Sequence, residues 1–88
     1  MSYRIEWTAP AERELRKIDR PVARRVLMAV SKLASDPRPR GARSLAGHPS
    51  GTTRIRIGEY RVGYVIDDGA VVITVVRVAH RREVYHSL

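Results

Sequence analysis

Residues 54–66 can be laid out as regular structure in one economical way. Arg54-Ile55-Arg56-Ile57 alternates charge with branched apolar side chains, Gly58-Glu59 interrupts, and Tyr60-Arg61-Val62-Gly63-Tyr64-Val65-Ile66 resumes the alternation. A period of two argues for strands, and two strands separated by a glycine-containing pair of residues argue for a hairpin. A two-residue turn at Gly58-Glu59 predicts that 57 faces 60, 56 faces 61, 55 faces 62 and 54 faces 63. One face of the hairpin then holds Ile55, Ile57, Tyr60 and Val62; the other holds Arg54, Arg56 and Arg61, with Gly63 leaving space beside Arg54. Like charges directly opposite one another destabilise a sheet. Setting Arg56 against Arg61 therefore builds in a repulsion that a polyanion would relieve. A second basic cluster, His80-Arg81-Arg82, follows the next apolar run.

The whole chain shares this bias. Its 88 residues carry 17 Lys and Arg against 9 Asp and Glu, for a net charge of +8. That excess favours nucleic acid or another polyanion as a partner. All but Lys17 and Lys32 of those cations are arginines, whose planar fork suits phosphate. The placement of the arginines, more than their number, carries the argument.

The length predicts one domain spanning 1–88. The chain contains no cysteine, which removes disulfides and thiolate metal sites. The three histidines lack metal-ligand spacing, so no metal or other cofactor is expected. No stretch approaches the roughly 20 apolar residues of a membrane span, and the charged N-terminal residues do not read as a signal peptide. A cytoplasmic protein without membrane attachment is the expectation.

Tyr3, Ile5 and Trp7 alternate into a first strand over 3–7. Thr8 is a candidate N-cap for a helix running to about Ile18, with Ala11, Leu15 and Ile18 on one stripe. Asp19-Arg20-Pro21 restarts a second helix, to about Ser35, whose apolar side is Val22, Val26, Val30 and Leu33. A long loop begins at Asp36-Pro37, with Leu45 expected to pin it to the core. Strands are predicted over 52–57, 60–66 and 71–78, with Asp68-Gly69 turning the last two. The run from Val71 to Val78 is apolar on both faces, as in a strand covered above and below. The order β-α-α-β-β-β gives an α+β fold: a small, mainly antiparallel sheet with an N-terminal helical hairpin on one face and the arginines on the other.

Three arginines sharing one face, two of them opposed, make a candidate phosphate-binding surface. His80 is a candidate proton donor or acceptor. Tyr85 could stack on an unpaired base, as aromatic side chains commonly do with single-stranded RNA. Glu83 could act as a base or as an ion-pair partner, and His48 and His86 have weaker cases.

Several segments together resemble a known family: Leu45-Ala46-Gly47, the Arg54-x-Arg56 strand, Glu59-Tyr60-Arg61-Val62-Gly63-Tyr64, and the ending Val78-Ala79-His80-Arg81-Arg82-Glu83-Val84-Tyr85. With the element order, they are similar to the RelE/ParE superfamily of bacterial toxins, and closer to the RelE branch. The resemblance implies a type II toxin that enters the ribosomal A site and cuts mRNA without a metal, by attack of a 2′-hydroxyl on the adjacent phosphate. It implies catalytic or RNA-binding roles for Arg54, Arg56, Arg61, Arg81 and Tyr85, with Arg82 beside them. It also implies a cognate antitoxin that covers this face and links the toxin indirectly to operator DNA. The best-known RelE members have lysines where this chain has Arg54 and Arg56. Arginine is a poor general base, so an electrostatic role is expected for both, and proton transfer would fall to His80, Tyr85, Glu83 or a ribosomal group. Two other readings are a ParE-like poison of DNA gyrase and an inactive basic module that acts only through antitoxin-mediated operator binding.

Overall fold

The computed structural model of the chain describes residues 2–44 and 51–83. Leu45, His48, Val84, Tyr85 and His86 lie outside the described residues, so the expectations resting on them are not addressed by it. In chain order the elements are β1 (Arg4–Trp7), α1 (Ala9–Arg16), α2 (Arg20–Lys32), β2 (Arg43–Ser44), β3 (Thr52–Ile57), β4 (Tyr60–Asp67) and β5 (Val72–His80), followed by a 3-10 turn at Arg81–Glu83.

The Thr8 hydroxyl accepts the Ala11 N–H at 3.3 Å, capping α1, and Pro10 sits in the first turn, where its missing N–H costs nothing. The helix ends at Arg16, short of Ile18. In α2, Asp19 occupies the N-cap position without a side-chain hydrogen bond. Val26, Val30 and Leu33 are fully buried at the expected spacing.

The five strands form one sheet in the order β1-β5-β4-β3-β2. β1 runs parallel to β5 and every other pair is antiparallel. The fold is thus α+β, as expected, with a mixed sheet. The β3–β4 register is the one the alternation dictates: Ile57 pairs with Tyr60, Arg56 with Arg61, Ile55 with Val62 and Arg54 with Gly63. Gly58 opens that turn at φ +58, a conformation glycine adopts without steric cost. The core lies on the Ile55/Val62/Tyr64 side, where Ala11, Val26, Val30 and Leu33 of the helices meet Ile73, Val75 and Val78 of β5.

Three details differ from the sequence expectation. The turn between β4 and β5 spans four residues, 68–71, because Asp67 pairs with Val72. Its left-handed residue is Val71 (φ 58) and not Gly69, an unfavourable conformation for a β-branched side chain. β5 also extends two residues further than expected, since Ala79 and His80 find partners in Arg61 and Tyr60.

The third difference is a bulge. Gly63 pairs with Arg77 and Tyr64 with Val75, leaving Val76 as an extra residue. The bulge switches the strand's alternation, so that Ile73, Val75 and Val78 all reach the helix side. The long apolar run reflects this switch, and cover over both faces is not needed to explain it.

β1 stops opposite Val75, which would leave the outer edge of β5 bare beyond that point. Glu14 of α1 covers it. Its carboxylate accepts the Val78 N–H and the Arg77 Nε–H, both at 2.8 Å, protecting an otherwise open edge.

Candidate nucleic-acid interface

The face of the sheet turned away from the helices is built from β2, β3 and β4. Cross-strand pairing places Arg56 opposite Arg61 and Arg54 opposite Gly63. It also brings in Arg43, which pairs with Arg54 from β2. Sequence reasoning missed Arg43, because a two-residue strand inside a polar loop has no periodicity to reveal it. Gly63 and Ala79, small residues on this same face, are buried.

These four arginines have no carboxylate partner among the described residues; the ion pairs of the protein lie elsewhere. The Nε atoms of Arg54 and Arg61 are moreover buried and without a hydrogen-bond partner. Burial, with Arg61, Arg56 and Arg43 alongside, holds the Arg54 guanidinium below its ordinary value. It remains a cation at neutral pH, but a desolvated and crowded one. An unsatisfied buried donor costs about 1–3 kcal/mol, and a phosphate, with its charge and its several acceptor oxygens, would remove both penalties together.

Arg81 stands at the end of the same sheet, in the 3-10 turn after β5. Its backbone N–H donates to the Glu59 carbonyl at 2.7 Å, and its Nε forms an ion pair with the Glu59 carboxylate at 2.9 Å. Glu59 belongs to the β3–β4 turn, so this contact brings Arg81 to the end of the strand pair that carries Arg56 and Arg61. Arg82 is exposed.

His80 is placed differently. It pairs with Tyr60, and their rings meet edge to face with centroids 5.2 Å apart. Strand alternation therefore turns it to the face opposite Arg61. Its Nδ1 accepts the Arg82 N–H at 3.2 Å, which assigns the proton of the neutral ring to Nε2. Nε2 in turn lies 4.0 Å from the Glu59 carboxylate. His80 thus borders the basic cluster at the sheet's end but does not stand among its arginines.

The arrangement has the charge and the free donors that suit an anion, and the chain as a whole is similar to known proteins. Residues 5–85 match the family model described as ParE toxin of type II toxin–antitoxin system, parDE. The chain is 35% identical over 86 residues to Toxin RelG of Mycobacterium tuberculosis, covering 97% of this chain and 98% of that protein. Its fold superposes on the M. tuberculosis RelBE2 toxin–antitoxin complex with a TM-score of 0.80 at 32% identity, covering 92% of this chain and 100% of that one. It also matches an arginine-to-alanine double variant of Escherichia coli RelE in the free state, with a TM-score of 0.78 at 27% identity, covering 97% and 92% of the two chains. This chain belongs to the RelE/ParE superfamily of type II toxin–antitoxin toxins.

Proposed function

We propose that this toxin is an endoribonuclease that cuts mRNA in the ribosomal A site. The observation that carries the reading is the cluster of four arginines with no carboxylate partner among the described residues, two of them with buried Nε–H groups that no described residue accepts. Such a cluster is costly to the free protein, and a backbone phosphate supplies what it lacks. Arg61 and Arg54 are placed to hold the non-bridging oxygens of the scissile phosphate. Arg56 and Arg43 add positive charge around them.

In the reaction the 2′-hydroxyl gives up its proton to a base other than these arginines and attacks the adjacent phosphorus; the bond to the 5′-oxygen breaks and that oxygen takes up a proton as it leaves, so the exchange is proton-neutral. The products are a 2′,3′-cyclic phosphate and a 5′-hydroxyl. Negative charge accumulates on the phosphoryl oxygens in the transition state, and fixed guanidiniums stabilise it there. Arg81, at the sheet's end, supports the leaving oxygen. Arg54 and Arg56 act as cations and not as bases, since even the lowered Arg54 stays protonated at neutral pH. His80 is outside this cradle, and Tyr85 is assigned its stacking role from the sequence resemblance. A cognate antitoxin is the inhibitory partner, in line with the toxin–antitoxin complexes formed by similar proteins.

The ParE description of the matching family model favours one other reading, a gyrase poison. The test runs primer extension on a defined mRNA with purified ribosomes alongside a gyrase supercoiling assay. The nuclease reading predicts cuts within the A-site codon, dependent on ribosomes and weakened at least about 100-fold in Arg61→Ala, the scale expected for losing a charge-stabilising donor. Inhibited supercoiling without cuts would replace it with the gyrase reading.

A further inference from the structure

Glu59 is the one acidic side chain paired with the basic end of the sheet among the described residues. It sits in a turn whose backbone is fixed by Gly58 at positive φ and by the hydrogen bond from the Arg81 N–H to its carbonyl. Its carboxylate forms an ion pair with Arg81 on the Nε side of the guanidinium, at 2.9 Å. Arginine has five N–H donors, and a phosphate can be met either side-on, through Nε and one Nη, or end-on, through both Nη groups. With the Glu59 carboxylate standing against Nε, the side-on approach is obstructed and the end-on approach remains.

We propose that Glu59 is a positioning residue for Arg81: it fixes the guanidinium so that both Nη groups are presented to the RNA phosphate. This deepens the nuclease reading and rests on it. A bystander carboxylate so close to an RNA site would simply repel the substrate, and its removal would speed cleavage. A positioning carboxylate has the opposite signature. The interaction is made through Arg81 and bears on the rate of the bound complex, because misdirecting a charge-stabilising group costs rate more than affinity.

The test measures cleavage by Glu59→Ala and Glu59→Gln, each alone and combined with Arg81→Ala, with Arg61→Ala as the control for the site. Glu59→Ala is expected to lower kcat about tenfold with KM changed less than about twofold, and Glu59→Gln, which keeps an acceptor oxygen, to stay within about threefold of wild type. In the Arg81→Ala background Glu59→Ala should cost less than about twofold more, since the group it positions is gone. The Arg81 side-chain Nε–H signal in a nitrogen–proton correlation spectrum should be protected from exchange in wild type and lose that protection in Glu59→Ala. Unchanged or faster cleavage by Glu59→Ala overturns the proposal, as does an equal loss with and without Arg81. Wild-type cleavage by Arg61→Ala would instead sink the assignment of the site, and no ribosome-dependent cuts by the wild-type protein would sink the nuclease reading. The exchange measurement then judges the Glu59–Arg81 contact by itself, and an unprotected wild-type Nε–H would refute it.

Discussion

Along β4 the chain lays down two surfaces of opposite character, one residue at a time. Val62 and Tyr64 face the helices and are completely buried. The one hydroxyl between them is met: that of Tyr64 donates to the Pro37 carbonyl at 2.7 Å. Arg61, between Tyr60 and Val62, faces the other way, against Arg56 and with a buried Nε–H that no described residue accepts. The first surface is internally complete and stabilises the fold. The second leaves donors without a partner among the described residues, and a bound phosphate is what the proposed function supplies there. A surface that folding alone would not favour is one whose arrangement answers to function.

A large structural effect at neutral pH is expected at Glu14, whose carboxylate serves both the Val78 N–H and Arg77. Glu14→Ala should lower stability by about 2 kcal/mol, the scale of losing charged hydrogen bonds at a half-buried site. Chemical denaturation measures this, and cleavage per folded molecule should be unchanged. A loss of cleavage beyond the loss of folded protein would break the division between the two surfaces.

Tyr64 gives a comparable effect that appears only in alkali. Burial pushes its phenol up to about 12, above the ordinary value near 10. Folding therefore favours the neutral form, and that stabilisation is intact below pH 10 and lost as the pH rises towards 12. The loss amounts to about 2–3 kcal/mol. Stability measured from pH 9 to 12 should fall less steeply in Tyr64→Phe than in wild type. At neutral pH the same variant should cost about 1 kcal/mol, for the hydrogen bond to Pro37.

On the arginine face the sign reverses. Arg54→Gln removes a desolvated cation crowded by Arg43, Arg56 and Arg61, and should raise stability by about 0.5–1 kcal/mol. It should also weaken RNA binding and reduce the salt dependence of that binding by about one unit of slope. A destabilised Arg54→Gln would mean that the crowding is already relieved within the protein. The smallest effect belongs to the β4–β5 turn: Val71→Gly removes a β-branched residue from φ 58 and should stabilise by about 0.5 kcal/mol, without changing cleavage.

What could be read from the sequence was local. The β3–β4 register followed from a period of two and one glycine turn, and with it came the shared face of Arg54, Arg56 and Arg61. The Thr8 cap and the Val26/Val30/Leu33 stripe were equally legible. The bulge at Val76 was not, because Val75-Val76 offers an apolar side chain to either face and no alternation to break. Arg43 was hidden by the brevity of β2. The Glu59–Arg81 pair joins residues far apart in the chain, and only the pairing of β4 with β5 brings them together. An acid in a hairpin turn opposite a basic strand exit was the available signal. The placement of His80 was hidden for a related reason: its neighbours in sequence are basic, but its strand partner is Tyr60, and that pairing turns it away from the arginines.

Arg61 and Val62 are adjacent in sequence and opposite in space, so comparing them tests the two-surface account most directly. Thermal stability and ribosome-dependent mRNA cleavage would be measured on Arg61→Ala and Val62→Ala, with wild type alongside. Arg61→Ala should be at least as stable as wild type and cleave at least about 100-fold more slowly. Val62→Ala should lose about 2 kcal/mol of stability to the cavity it leaves and cleave, per folded molecule, within about threefold of wild type. Wild-type cleavage by Arg61→Ala, or a Val62→Ala protein that folds fully yet does not cut, would contradict the account.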